Sequence, residues 1–132
     1  MSLSDEERLI IVNLEIEKAY RIYGQALLMQ SAEQWDGMAN RLYYAVFHAV
    51  SALLIHDRHE VNTHKGSHVM FSQYYIKTGV FPRKYGELYR TMEKMREESD
   101  YNCSYDEESD ILQNNIVPAK EMIDAIAEKV KE

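Results

Sequence analysis

The fold is decided by an apolar helical stretch, Asn40-Arg41-Leu42-Tyr43-Tyr44-Ala45-Val46-Phe47-His48-Ala49, which continues to Leu54. Its apolar residues recur every three or four positions, the period of one face of an α-helix. Upstream, Trp35 and Met38 extend the same face, and a capping box at Ser31–Gln34 is predicted to begin the helix. The pattern predicts a long core helix.

Two helices are predicted next to this core helix. The first begins at the capping box Ser4–Glu7 and carries apolar residues at a 4-3-4-3 spacing. A polar loop at residues 55–64 precedes a shorter helix over about Lys65–Lys77, which ends where Gly79 allows a left-handed cap.

Two more helices complete the prediction. One begins at Pro82 and ends around Asp100, and the last follows a capping box at Ser104–Glu107. Pro118 lies inside the last helix, so we expect a kink or break near Asn114–Asn115. Because the connections are short, the 132 residues are predicted to form one all-α domain, residues 1–132, an up-and-down bundle of four to five helices.

Charge and cysteine content narrow the class of protein. The net charge is −7, so sequence-independent binding to nucleic acid is disfavoured and no DNA partner is expected. Seven carboxylates lie within residues 97–110 and should repel phosphate locally. Cys103 is the only cysteine, which excludes an internal disulfide and suits a reducing compartment. With no secretory signal and no apolar run of about 18 residues, we expect a cytoplasmic protein without a membrane partner.

The core helix carries one candidate binding constellation. Arg41, Tyr44 and His48 are spaced i, i+3, i+7 and share a face turned away from the apolar stripe. A cation, a phenol and an imidazole in a row can hold a phosphate or line a groove. The alternative is structural, with Arg41 and Tyr44 half-buried and His48 bonded to a neighbouring helix.

All five histidines fall within residues 48–68. His64 and His68 are i,i+4, as zinc ligands often are, but further ligands are not evident, so neither a metal nor another cofactor is expected. The segment Thr63–Gly66 is interpreted as a capping turn, with Thr63 as the cap. A weaker hypothesis is that this helix N-terminus and Lys65 hold an anion.

A third candidate is the run Arg96-Glu97-Glu98-Ser99-Asp100-Tyr101. Arg96 and Asp100 are i,i+4 on a helix and can form an ion pair, which is worth little if exposed and would fix a helix register if buried. Asp100 beside Arg96 should stay ionised at neutral pH.

Together, the Arg-x-Tyr-Tyr-Ala stretch at Arg41, the Thr-His-Lys-Gly stretch at Thr63 and the Arg-x-x-x-Asp-Tyr stretch at Arg96 resemble the HEPN superfamily, in its small stand-alone branch. The resemblance implies a helical bundle that forms homodimers. It implies a minimal nucleotidyltransferase as a partner, in toxin–antitoxin or RNA-processing pairs, with a tyrosine such as Tyr101 or Tyr105 as the nucleotidylated residue.

Many HEPN proteins are metal-independent ribonucleases with a histidine four to six residues after the arginine, whereas no histidine follows Arg96. The resemblance therefore favours a non-catalytic protein that binds a nucleotide, RNA or a nucleotidyltransferase. The alternatives are an RNA endonuclease with a rearranged site and a purely structural partner. Whether His48 or His64 approaches Arg96 in space is left open by the sequence.

Overall fold

A computed structural model describes residues 3–60, 63–101 and 109–131. The secondary structure of these residues is helical, which confirms the predicted all-α class. Cys103, Tyr105 and the capping box predicted at Ser104–Glu107 lie outside the described residues. The elements in chain order are α1 (Asp5–Ser31), α2 (Trp35–His56), α3 (His64–Phe71), a π-helical turn (Ser72–Ile76), α4 (Arg83–Tyr101), α5 (Ser109–Gln113) and α6 (Ile116–Lys129).

Helix α2 is the centre of the bundle and packs against α1, α3, α4 and α6. The apolar face predicted for it is buried, including Met38, Leu42, Val46 and Leu53. By length and composition α2 would suffice to cross a membrane, contrary to the expectation that no apolar stretch is long enough. Most of its apolar window is packed inside the bundle, as the core helix of a helical protein requires.

The junction between α1 and α2 differs from the prediction. Helix α1 continues to Ser31, whose hydroxyl donates to the Leu27 carbonyl at 3.1 Å, and α2 begins only at Trp35. Gln34 precedes α2 without a capping hydrogen bond from its side chain. The capping box predicted at Ser31–Gln34 is therefore wrong, because the hydroxyl is used inside the preceding helix. The box at Ser4–Glu7 is confirmed, with both of its hydrogen bonds present.

The third predicted helix divides into two kinds of helix. Thr63 caps α3 as predicted, its hydroxyl accepting from the Gly66 N–H at 2.8 Å. After Phe71 the chain widens into the π turn, and Gly79 then reverses it with φ +81°. This reversal directs the chain into α4, which runs back past α3.

The predicted break near Asn114–Asn115 separates α5 from α6. Pro118 lies in the first turn of α6, where an N–H would have no helical partner and its absence costs nothing. The Asn115 side-chain amide donates to the Leu112 carbonyl at 3.3 Å and so satisfies the end of α5. The broken helix lets α6 pack on α2 and bury Met122 and Ile126.

Candidate functional site

The site forms around Tyr43, a fully buried residue of α2. Its ring stacks on Tyr89 of α4 with centroids 5.9 Å apart, and it meets the neighbouring Tyr44 edge to face at 5.1 Å. Burial raises the pKa of Tyr43 to about 12, so the phenol keeps its proton at neutral pH. Tyr43 thus offers a neutral aromatic face and one hydroxyl for contacts with neighbouring side chains.

Arg96 of α4 lies against this pair of tyrosines. Its guanidinium carbon is 4.9 Å from the Tyr43 ring centroid and 5.8 Å from that of Tyr44, both within cation–π range. The Arg96 side chain is only 9% exposed, and its Nε has no hydrogen-bond partner among the described residues. The positive charge of Arg96 is therefore stabilised mainly by cation–π contacts with the rings of Tyr43 and Tyr44.

The acidic neighbours of Arg96 lie beyond hydrogen-bond distance of its guanidinium. Asp100 Oδ2 is 3.8 Å from one terminal nitrogen, and Glu97 Oε1 is 3.9 Å from the other. The predicted i,i+4 pair with Asp100 is present beyond hydrogen-bond distance, and it joins a buried guanidinium to an exposed carboxylate. Because the described residues show no short hydrogen bond to an acidic group at Arg96, its guanidinium retains capacity to bind an anion.

His64 reaches the same tyrosine from α3. Its Nδ1 is 2.9 Å from Tyr43 Oη, and its ring lies 4.3 Å from that of Phe47 and 5.6 Å from that of Tyr44. As the first residue of α3, His64 is oriented by the Thr63 cap. Burial and, secondarily, the positive charge of Arg96 lower the pKa of His64 below its usual 6.5. The imidazole is therefore largely neutral at pH 7.

The hydroxyls of Tyr43 and Tyr89 have different partners on α3. Tyr43 Oη is 2.9 Å from His64 Nδ1, Tyr89 Oη lies 3.1 Å from Ser67 Oγ, and the two tyrosine rings stack on each other. When His64 Nδ1–H donates to Tyr43 Oη, His64 Nε2 carries no proton and keeps a free lone pair.

Arg41 lies at the rim of the site. Its guanidinium is 5.5 Å from the Tyr44 ring centroid and donates to Asn40 Oδ1 at 2.8 Å. Asn40 in turn donates to Asp100 at 3.3 Å. Arg41 and Tyr44 are thus connected with Arg96 and Asp100, two constellations that lie about 55 residues apart in sequence.

Other predicted site residues take separate positions. His48 pairs with Glu15 of α1 at 2.8 Å, the structural alternative weighed for it. Lys65 is exposed on the first turn of α3, and Tyr101 is 79% exposed at the end of α4. Within the described part of the chain, no group of three or more His, Cys, Asp or Glu side chains could hold a metal ion.

The residue that sequence reasoning did not select is Tyr43, together with Tyr89. Both fall on core stripes, and a core tyrosine looks the same whether or not its hydroxyl contacts a histidine. The burial of Arg96 could have been predicted, because Arg96 follows Tyr89 and Met92 by seven and four residues and so shares their buried face of the helix.

Comparisons with known proteins agree with this architecture. The HEPN domain profile matches residues 12–130. A "UPF0332 protein" of Thermotoga maritima is 29% identical over 115 residues, which cover 87% of either chain. "Putative toxin MJ0605" of Methanocaldococcus jannaschii is 29% identical over 106 residues, 80% of this chain and 78% of the relative. "Putative toxin MJ0142" of the same organism is 28% identical over 89 residues, 67% of this chain and 60% of the relative. Since the profile spans nearly the whole chain, the protein belongs to the HEPN domain family.

Proposed function

We propose that this protein binds RNA at Arg96 and His64 and cleaves it without a metal ion. One observation carries the proposal: His64 and Arg96 both lie on the Tyr43–Tyr44 ring pair, although 32 residues separate them in the sequence. On this proposal, His64 of α3 takes the place of the imidazole that the sequence lacks after Arg96.

The chemistry follows from the two groups. Arg96 would bind the scissile phosphate and neutralise its charge. His64 Nε2 would take the proton of the adjacent 2′-hydroxyl, whose oxygen then attacks phosphorus. The bond to the 5′-oxygen breaks, and that oxygen takes a proton from the imidazolium or from water. The products would be a 2′,3′-cyclic phosphate and a 5′-hydroxyl.

The electrostatics favour a base at position 64. Burial and Arg96 lower the pKa of His64, so the unprotonated form that can accept a proton predominates at neutral pH. The raised pKa of Tyr43 keeps its phenol protonated. The neutral phenol can orient the imidazole, and it does not compete with the RNA phosphate for Arg96 as a phenolate anion would. The two relatives from Methanocaldococcus jannaschii are named putative toxins, and cleavage of RNA is one way in which a toxin can act.

The test is RNA cleavage by the purified protein in the presence of EDTA. We expect cleavage with cyclic phosphate ends, and a loss of at least about 100-fold in both His64→Ala and Arg96→Ala. His59→Ala is the matched control, since His59 stacks on Tyr74 and touches neither Tyr43 nor Arg96 among its ring contacts. Full activity in His64→Ala, or dependence on a divalent metal, contradicts the assignment.

A second candidate is the non-catalytic binding protein, paired with a nucleotidyltransferase. The observation that favours it is Tyr101, which is 79% exposed one turn beyond Arg96 and is open to modification. On this proposal the protein is a cytoplasmic homodimer that carries a nucleotidyl group on Tyr101. Intact-mass analysis after co-expression with the partner tests it: a mass shift that Tyr101→Phe abolishes supports the pairing, and an unmodified protein opposes it.

A further inference from the structure

A polar cavity lies one turn along α3 from His64, with His68 in its lining. It has a volume of about 370 Å³ and opens between the π turn and the first half of α4. Phe71 and Ile76 supply apolar lining, while the charged side chains come from α4 and from Lys77, which directly follows the π turn.

The side chains that line this cavity carry a net positive charge, opposite in sign to the charge of the whole chain. Three of its lining residues are cations, Lys77, Arg83 and Arg90, against one carboxylate, Glu87. Within the described part of the chain these three cations form no ion pair. In a protein with net charge −7, three cations around one cavity, with no ion pair to any described residue, make a local site for anions.

The cavity adjoins the Arg96 site through His68, whose ring lies 5.1 Å from that of Tyr89, the ring that stacks on Tyr43. His68, which lines the cavity, follows His64 by one turn of α3, and its Nδ1 is 3.3 Å from Glu93 of α4. At 1.5 Å of rise and about 100° of rotation per residue, Arg90 and Arg83 precede Arg96 along α4 by about 9 and about 20 Å and are turned about 120° and about 140° from it around the helix axis. A ligand that occupies both places must therefore be extended and carry several negative charges.

We infer that this cavity binds the phosphates of the single-stranded RNA next to the phosphate held by Arg96. A single strand with regularly spaced phosphates can follow the surface of α4 from Arg96 round to Arg90 and Arg83, which lie seven residues apart on one face of the helix. The π turn, a kind of segment frequently found at functional sites, carries the chain to Lys77 at the cavity mouth. The inference rests on the proposed function, since it assigns the path of the same substrate.

The test measures RNA binding separately from cleavage. In a His64→Ala background, the Kd for a fluorescent single-stranded RNA of about ten nucleotides is measured across a salt series. With Lys77→Ala, Arg83→Ala and Arg90→Ala added, we expect binding at low salt to weaken at least tenfold. The slope of log K against log salt should fall by about 2, or about 0.7 for each lost phosphate contact.

The control removes three cations elsewhere, with Lys18→Ala, Arg21→Ala and Lys131→Ala, which are exposed on α1 and at the C-terminal end. This variant should keep the parent's Kd and slope. Equal weakening in both triple variants, or no weakening in the cavity variant, overturns the inference. Cleavage by the protein with an intact His64 is scored separately. RNA binding that needs the cavity without any cleavage leaves the inference standing and rejects only the ribonuclease.

Discussion

At the scale of single residues, the site depends on one tyrosine with two kinds of contact. The Tyr43 hydroxyl is hydrogen-bonded to His64, while the Tyr43 ring stacks on Tyr89 and contacts the Arg96 guanidinium. Burial alone does not distinguish Tyr43 from Tyr23, which is also buried and donates to the Ile116 carbonyl at 2.9 Å. The difference is that Tyr43 orients a titratable group.

Tyr43→Phe tests this role at the residue scale. The ring remains, so the core should hold, and the loss of the hydroxyl should lower the free energy of unfolding by about 1–2 kcal/mol. RNA cleavage should fall by about tenfold or more, because the imidazole loses the bond that orients it. Tyr23→Phe is the matched control: we expect a similar stability loss in urea unfolding and unchanged cleavage. Equal cleavage by the two variants contradicts the role of Tyr43.

At the scale of elements, α3 is short and carries His64 at its first position. Eight residues are too few for a stable helix on their own, so the cap and the packing of Ser67 and Phe71 must hold it. The Thr63 hydroxyl satisfies the Gly66 N–H at this end. The position of the imidazole therefore depends on a capping residue that makes no contact with the ring.

Thr63→Ala should remove this support. Loss of a threonine N-cap costs about 1 kcal/mol, up to about 2, of unfolding free energy. We expect that loss in thermal or urea unfolding, together with weaker RNA cleavage. Thr63→Ser retains the hydroxyl and should behave like the parent protein. A destabilised Thr63→Ser would indicate that the methyl group, not the cap, matters.

At the scale of the whole molecule, the bundle buries two histidines in unprotonated form. Burial is the main cause that lowers the pKa of both His64 and His68, with Arg96 and Arg90, respectively, adding to it. In the unfolded chain these imidazoles return to their ordinary pKa of about 6.5 and bind protons more readily. Folding is therefore opposed by protonation.

The consequence is a stability that depends on pH. Below about pH 6.5 the unfolded state binds more protons than the folded state, so the free energy of unfolding should fall as the pH drops from about 7 to about 5. Urea unfolding at half-unit steps of pH measures it. The His64→Gln/His68→Gln double variant should show a flatter dependence over this window, and an unchanged slope would contradict the assignment to these histidines.

The sequence by itself determined the helical class, the central helix, the glycine reversal at Gly79 and the break before Pro118. These depend on apolar periodicity and on backbone restrictions, which are local properties. It misplaced the start of α2, because the Ser31 hydroxyl has a helical carbonyl within reach as an alternative partner.

Only the tertiary structure decided that His64 and Arg96 lie on one pair of tyrosines. Their proximity requires α3 and α4 to pack on the same turns of α2, a relation between helices that no spacing along the chain encodes. For the same reason, only the packing of the helices places Lys77, Arg83 and Arg90 around one cavity. Helix formation follows from the preferences of residues along the chain, whereas the proposed chemistry depends on contacts between helices.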